Sequence, residues 1–180
     1  MRSLKIFGLI VLVMQNFIFA EAASQDTPAA LPVRGGFHFQ LQLGWGYGPT
    51  SGGLFHNMEI GGTFRKSQLT VALDHTFIQS KGFAMPAGGE HLVGGWMLML
   101  KKPIWNNRLV AKGAAGLGGI HDQTDGIKAT AGFGISYGLD YDLPLFQSSG
   151  VTISLQALHA FIPGPKHHFW AALGVGYTFF

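Results

Sequence analysis

Residues 168–180, His-Phe-Trp-Ala-Ala-Leu-Gly-Val-Gly-Tyr-Thr-Phe-Phe, constrain the fold more than any other part of the chain. Phe169, Ala171, Leu173, Val175, Tyr177 and Phe179 alternate with His168, Trp170, Ala172, Gly174, Gly176 and Thr178. Successive side chains of a strand point to opposite sides, so this strand has one apolar face and one that is mostly small or weakly polar. The sequence then stops on an aromatic residue with no polar tail. In lipid, a strand edge is tolerated only where it pairs, so such a strand is expected to close a cylinder against the first strand.

The same two-residue period recurs upstream. Gly36–Gly48 sets Phe37, Phe39, Leu41, Leu43, Trp45 and Tyr47 against His38, Gln40, Gln42, Gly44 and Gly46. Leu54–Arg65 and Gln68–Ile78 follow, divided by a tight turn at Lys66. His91–Lys101 is the least regular run, because Val93, Met97 and Met99 make both of its faces apolar. Asn107–Ile120, Lys128–Tyr141 and Val151–Phe161 complete the set, with turn-forming residues between them. The pattern predicts an all-β fold: an eight-stranded antiparallel up-and-down barrel. Each run is about as long as the 9–11 tilted residues that cross a bilayer. No segment after the first 22 residues offers the roughly 18 unbroken apolar residues of a membrane helix.

Alternation alone does not separate a membrane barrel from a soluble one, in which the apolar face points inward. The polar faces decide. A water-exposed wall carries Lys, Glu and Arg on most strands, yet only 12% of this chain is charged. The polar faces are instead Gly, Thr, Ser and Gln, sized for a narrow lumen, while Trp45, Trp96, Phe133 and Tyr137 are too bulky to share one. The apolar face is therefore expected to meet lipid. Interfacial girdles follow: Trp45, Tyr47, Phe77, Phe161 and Phe169 at the outer rim, and Phe37, Phe64, Trp105, Tyr141, Tyr177 and Phe179 at the inner rim.

Residues 1–22 read as a secretory signal peptide. Arg2 and Lys5 precede an apolar run to Phe19, and Ala20-Glu21-Ala22 offers a cleavage site. Residues 23–35 read as a periplasmic linker and 36–180 as the barrel. The absence of Cys in an exported chain rules out a disulfide framework. The mature chain is close to neutral, which excludes a nucleic-acid partner.

The ending Gly174-Val175-Gly176-Tyr177-Thr178-Phe179 resembles the C-terminal signal of bacterial outer-membrane barrels, and the chain is similar to the small OmpA/OmpX-type eight-stranded family. The family usually ends at the Phe that Phe179 matches, whereas Phe180 follows here. The resemblance implies an outer-membrane protein of a Gram-negative bacterium. It also implies insertion by the barrel-assembly machinery and contact with outer-membrane lipids and lipopolysaccharide. The chain is expected to act as a monomer.

The inward faces carry His38, Glu59, Arg65, Asp74, Arg108, Lys112, Lys128 and Asp140. Charges in a narrow lumen must be paired, so these residues are expected to form a network that fills it. A narrow gated pore through the same network is the alternative. Barrels resembling this one also include lipid A palmitoyltransferases and deacylases. Acyl transfer needs a nucleophile beside a His that an acid orients. His56, His75 and His159 fall on the lipid face, but no Ser, Asp or Glu shares that face next to them, so no catalysis and no cofactor are expected. Glu90, His91, His121, Asp122, Asp125, His167 and His168 lie toward the outer loops. They lack a tight metal-ligand spacing and read as ordinary solvated residues, with no metal.

Overall fold

A computed structural model describes residues 34–48, 52–80, 91–122, 130–162 and 168–179. The expected signal peptide and most of the linker lie outside these residues. The chain forms β1 (Gly36–Tyr47), β2 (Gly52–Phe64), β3 (Leu69–Ser80), β4 (His91–Trp105), β5 (Leu109–Asp122), β6 (Thr130–Phe146), β7 (Ser149–Phe161) and β8 (His168–Phe179). Each strand pairs antiparallel with its sequence neighbours, and β8 returns to β1, so the sheet is a closed barrel. The closing ladder runs from Phe39↔Phe179 to Tyr47↔Ala171.

The register follows from polarity. A slip of one residue would turn every apolar side chain of a strand inward and every polar one outward. In the observed register Gln40 faces Glu59 and Glu59 faces Asp74 across neighbouring strands, all three inward and fully buried. Leu41, Leu43, Leu73, Leu98, Leu117, Phe133 and Leu155 face outward and are exposed. This polarity, apolar outside and polar within, is that of a barrel solvated by lipid.

One end of the barrel is built from tight turns. Residues 65–68 join β2 to β3, with Gln68 in the left-handed region (φ 54°) and its N–H donating to Phe64 O at 2.8 Å. Asn106 and Asn107, at φ 45° and 53°, reverse the chain between β4 and β5; Asn tolerates this conformation better than most residues. Residues 49–51, 81–90, 123–129 and 163–167 connect the strands at the opposite end and lie outside the described residues. The first is the turn end of the barrel and the second its loop end.

Several strands outrun their expected limits. β4 continues through Lys102–Trp105, with an irregularity between Pro103 and Trp105, and β6 continues to Phe146, irregular between Pro144 and Phe146. Proline cannot donate to a ladder, which accounts for both breaks. His91, His121, Asp122 and His168 belong to strand ends rather than to loops. Glu90, Asp125 and His167 lie outside the described residues.

The aromatic bands are visible on the wall. Tyr47, Trp45, Phe161, Phe169 and Phe133 lie toward the loop end, and Phe37, Phe64, Trp105, Phe146, Tyr177 and Phe179 toward the turn end, all exposed. Phe77 and Tyr141 are only half-exposed. The Phe77 ring stacks on His56 at 5.1 Å and lies 6.1 Å from His75.

Candidate functional site

The lumen gathers the chemistry-bearing side chains. Glu59 on β2 and Asp140 on β6 project from walls four strands apart in a ring of eight, and both are fully buried. Two lysines lie between them. Lys101 Nζ is 2.7 Å from Glu59 Oε2, 2.7 Å from Asp140 Oδ2 and 2.8 Å from Gln40 Oε1, which places an acceptor for each of its three N–H groups. Lys112 Nζ approaches the other two oxygens, Asp140 Oδ1 at 2.9 Å and Glu59 Oε1 at 3.4 Å.

Neutral groups complete the bridge. The Gln40 amide donates to Glu59 Oε1 at 3.3 Å and to Asp140 Oδ2 at 3.2 Å, and its oxygen also accepts from Thr178 Oγ1 at 3.0 Å. His38 Nε2 lies 3.1 Å from Glu59 Oε2; a carboxylate only accepts, so the proton sits on Nε2. Two negative and two positive groups thus close one another across the lumen. A buried pair is favourable only when its geometry is good and its remaining hydrogen bonds are made; here each carboxylate meets both ammonium groups, while His38 Nδ1 has no hydrogen-bond partner among the described residues.

Nearer the loop end the filling is different. Phe55, Ile78, Met97, Met99, Ala114, Leu158, Ala160, Trp170 and Ala172 form one buried apolar cluster inside the barrel. Glycines two strands away make room for it. A Cβ on Gly174 would stand 2.8 Å from the Phe55 ring, and one on Gly46 would stand 2.8 Å from Ile78 Cγ2. Alternation had marked these inward faces as small or polar, so Phe55, Ile78, Leu158 and Trp170 are a correction: bulky residues occupy the polar period. The irregular fourth run has the same explanation, since Met97 and Met99 point into this cluster.

At the turn end, Arg34 closes the base. It is buried, pairs with Asp142 and donates to Asn107 O from Nη2 at 2.7 Å and from Nε at 3.3 Å. Asp142 also accepts from Thr152, whose hydroxyl meets Thr178 Oγ1 at 2.6 Å.

Of the residues expected inside, His38, Glu59, Asp74, Lys112 and Asp140 are buried in the lumen. Asp74 stands apart from the lysine bridge: it accepts from Asn57 and, at 2.8 Å, from Thr76 Oγ1. Arg65 is exposed, because β2 ends at Phe64 and the turn carries the next residue out of the inward phase. Arg108 is half-buried in the β4–β5 turn, where its N–H donates to Trp105 O and its carbonyl accepts from Asp142 N. Lys128 lies outside the described residues. Lys101, Arg34 and Asp142 were not expected, although Lys101 shares the odd-numbered phase of Met97 and Met99, and Asp142 the even-numbered phase of Asp140.

On the outer wall, His56 and His75 lie 5.4 Å apart between ring centroids, and Trp96 packs 4.3 Å from His75. His159 packs on Phe169 at 4.7 Å, and its Nε2 lies 3.3 Å from Tyr137 Oη. Among the described residues no group of three or more His, Cys, Asp or Glu is placed to hold a metal ion.

No protein-family model matches the chain, and no curated protein sequence matches it. Solved structures do. Neisserial surface protein A is similar at 13% identity and a TM-score of 0.52, over 79% of this chain and 96% of that one. Ail, the attachment invasion locus protein of Yersinia pestis, solved with the heparin analogue sucrose octasulfate, is similar at 14% identity and a TM-score of 0.53, over 80% and 99%. The N-terminal β-barrel domain of Pseudomonas aeruginosa OprF is similar at 16% identity and a TM-score of 0.50, over 81% and 100%. At these identities the likeness is one of fold: the closed eight-stranded architecture of small outer-membrane barrels. That fold, together with the apolar outer wall, is that of a β-barrel that crosses a membrane.

Proposed function

We propose that the protein is a non-enzymatic outer-membrane barrel with a structural or surface-interaction role and a lumen closed by its own side chains. One observation carries this reading: two different fillings lie in series, the apolar cluster and the lysine–carboxylate bridge. Water held back by the first would still meet the second. The outward histidines support the non-enzymatic part. Among the described residues they meet rings and, for His159, a tyrosine hydroxyl; no serine or acid is bonded to them. An acyl-transfer site needs both. In this reading the wall is solvated by lipid and lipopolysaccharide, the barrel-assembly machinery inserts the chain, and it works as a monomer.

A narrow gated pore is the second reading. It is favoured by the nature of the bridge, which is made of charged side chains able to exchange partners. Planar-bilayer recording of the refolded protein separates the two. The occluded barrel gives no steady conductance. Regular single-channel steps in the wild-type protein would establish the pore instead.

A further inference from the structure

The charges left outside the lumen are one-sided. Among the described residues Glu59, Asp74, Asp140 and Asp142 are all buried, so the turn end presents no exposed side-chain carboxylate. It does present Arg65 and Lys66 in the β2–β3 turn and Lys102 on β4, all exposed. No acid among the described residues meets any of the three: Lys101 and Lys112 take Glu59 and Asp140, and Arg34 takes Asp142. Exposed charges on a turn are by themselves an ordinary solvated surface, and Arg65 and Lys66 alone would be no more than that.

Lys102 is different, because it stands on the wall. Successive residues of a strand point to opposite sides, so Lys101 enters the bridge and Lys102 faces outward. Trp96, Leu98 and Leu100 precede it in the lipid-facing phase, and the exposed Ile104 and Trp105 follow it. Lys101 pairs with Thr70, which sets Lys102 beside Leu69, the residue that pairs with Phe64 across the β2–β3 turn. On its other side it faces Ala111, whose methyl group is too small to cover it. An ammonium in an apolar row is costly unless its stem carries it to the headgroups and a counter-charge there. The aromatic band that includes Phe64 and Trp105 marks that level.

Resting on the reading of the chain as a membrane barrel, we propose that Lys102, with Arg65 and Lys66, binds the phosphates of anionic phospholipids in the leaflet that meets the turn end. Lipid is favoured over an acidic protein because Lys102 lies among side chains already committed to lipid. A zwitterionic headgroup carries its own cation, so it gains less from these three side chains than phosphatidylglycerol does. The site is an arc rather than a pocket. The Arg65 stem lies over Gly35, where an added Cβ would collide with Arg65 Cγ, so Arg65 extends the arc toward β1. Lys102 extends it toward β5.

The test refolds the full chain into phosphatidylcholine vesicles that carry spin-labelled phosphatidylglycerol or spin-labelled phosphatidylcholine, and reads the label immobilised by the barrel. A cation at the membrane surface favours an anionic headgroup about fivefold. The wild-type protein therefore immobilises more of the phosphatidylglycerol label, and the excess shrinks as salt is raised. Lys102→Gln removes the larger share of that excess, Lys102→Arg keeps it, and Arg65→Gln, Lys66→Gln and Lys102→Gln together abolish it. Should Lys102→Gln fail to fold, Arg65→Gln with Lys66→Gln tests the same arc from the turn and lowers the excess. Equal immobilisation of both labels by the wild type overturns the proposal and leaves the membrane barrel standing. Immobilisation of neither label overturns the membrane barrel, and the site with it. An excess that the triple variant retains overturns the proposal. So does one that inorganic phosphate displaces at constant ionic strength, which assigns the arc to free phosphate.

Discussion

The two ends of the lumen are filled by opposite kinds of matter. Toward the loop end, Phe55, Ile78, Leu158 and Trp170 pack together as one apolar cluster. Toward the turn end, Lys101, Lys112, Glu59 and Asp140 fit by stoichiometry, with each ammonium facing both carboxylates. Apolar packing is non-directional, so loss of a methyl group is felt as a small cavity. Removing one partner of a buried ion pair leaves the other without compensation. The loop end is therefore graded in its response to change, and the turn end is brittle.

The largest effect is expected from Lys101→Met. It deprives both carboxylates of a partner and should cost about 3–5 kcal/mol in chemical unfolding of the refolded barrel. Adding Glu59→Gln leaves Lys112 and Asp140 as a balanced pair and should recover much of that loss. A double variant less stable than Lys101→Met would break the stoichiometric account.

The wall gives the next effect. Leu41 is exposed at mid-strand beside the inward Gln42, so Leu41→Arg places a charge in lipid and should cost about 2–4 kcal/mol in the same measurement. A barrel unaffected by this change and stable in buffer without detergent would not be a membrane barrel.

The smallest effect sharpens the contrast most. Ile78→Val in the apolar cluster should cost about 0.5–1.5 kcal/mol and leave the lumen closed in bilayer recordings. If it costs as much as Lys101→Met, the two ends do not differ in kind.

The number and order of the strands were legible because membrane strands must alternate, and nearly every run did so. What alternation does not reveal is where a strand stops. Lys101 and Asp142 are hidden because the alternating pattern ends at or just before them, and Arg34 because its surroundings read as a linker. Arg65 and Arg108 were placed inside for the converse reason, since phase was carried past the last paired residue into a turn. The filling of the loop end was hidden differently. Phe55 and Trp170 occupy inward positions among glycines and small residues, and only closure of the ring shows that Gly174 leaves space for Phe55 from the far side of β1. Partner choice at the bridge is equally non-local: Glu59 has an acid beside it in Asp74, yet its cations come from β4 and β5.

Arg34 adds a matter of timing. Its guanidinium meets Asn107, 73 residues later, and Asp142, 108 residues later. Neither exists as a target until the β4–β5 turn has formed and β6 has been laid beside β5. A contact spanning so much of the chain has a large closure entropy and forms only after the intervening segments are ordered. Arg34, two residues before the first strand, thus reaches its place only after six strands have been ordered, and its docking reports that β6 is in position.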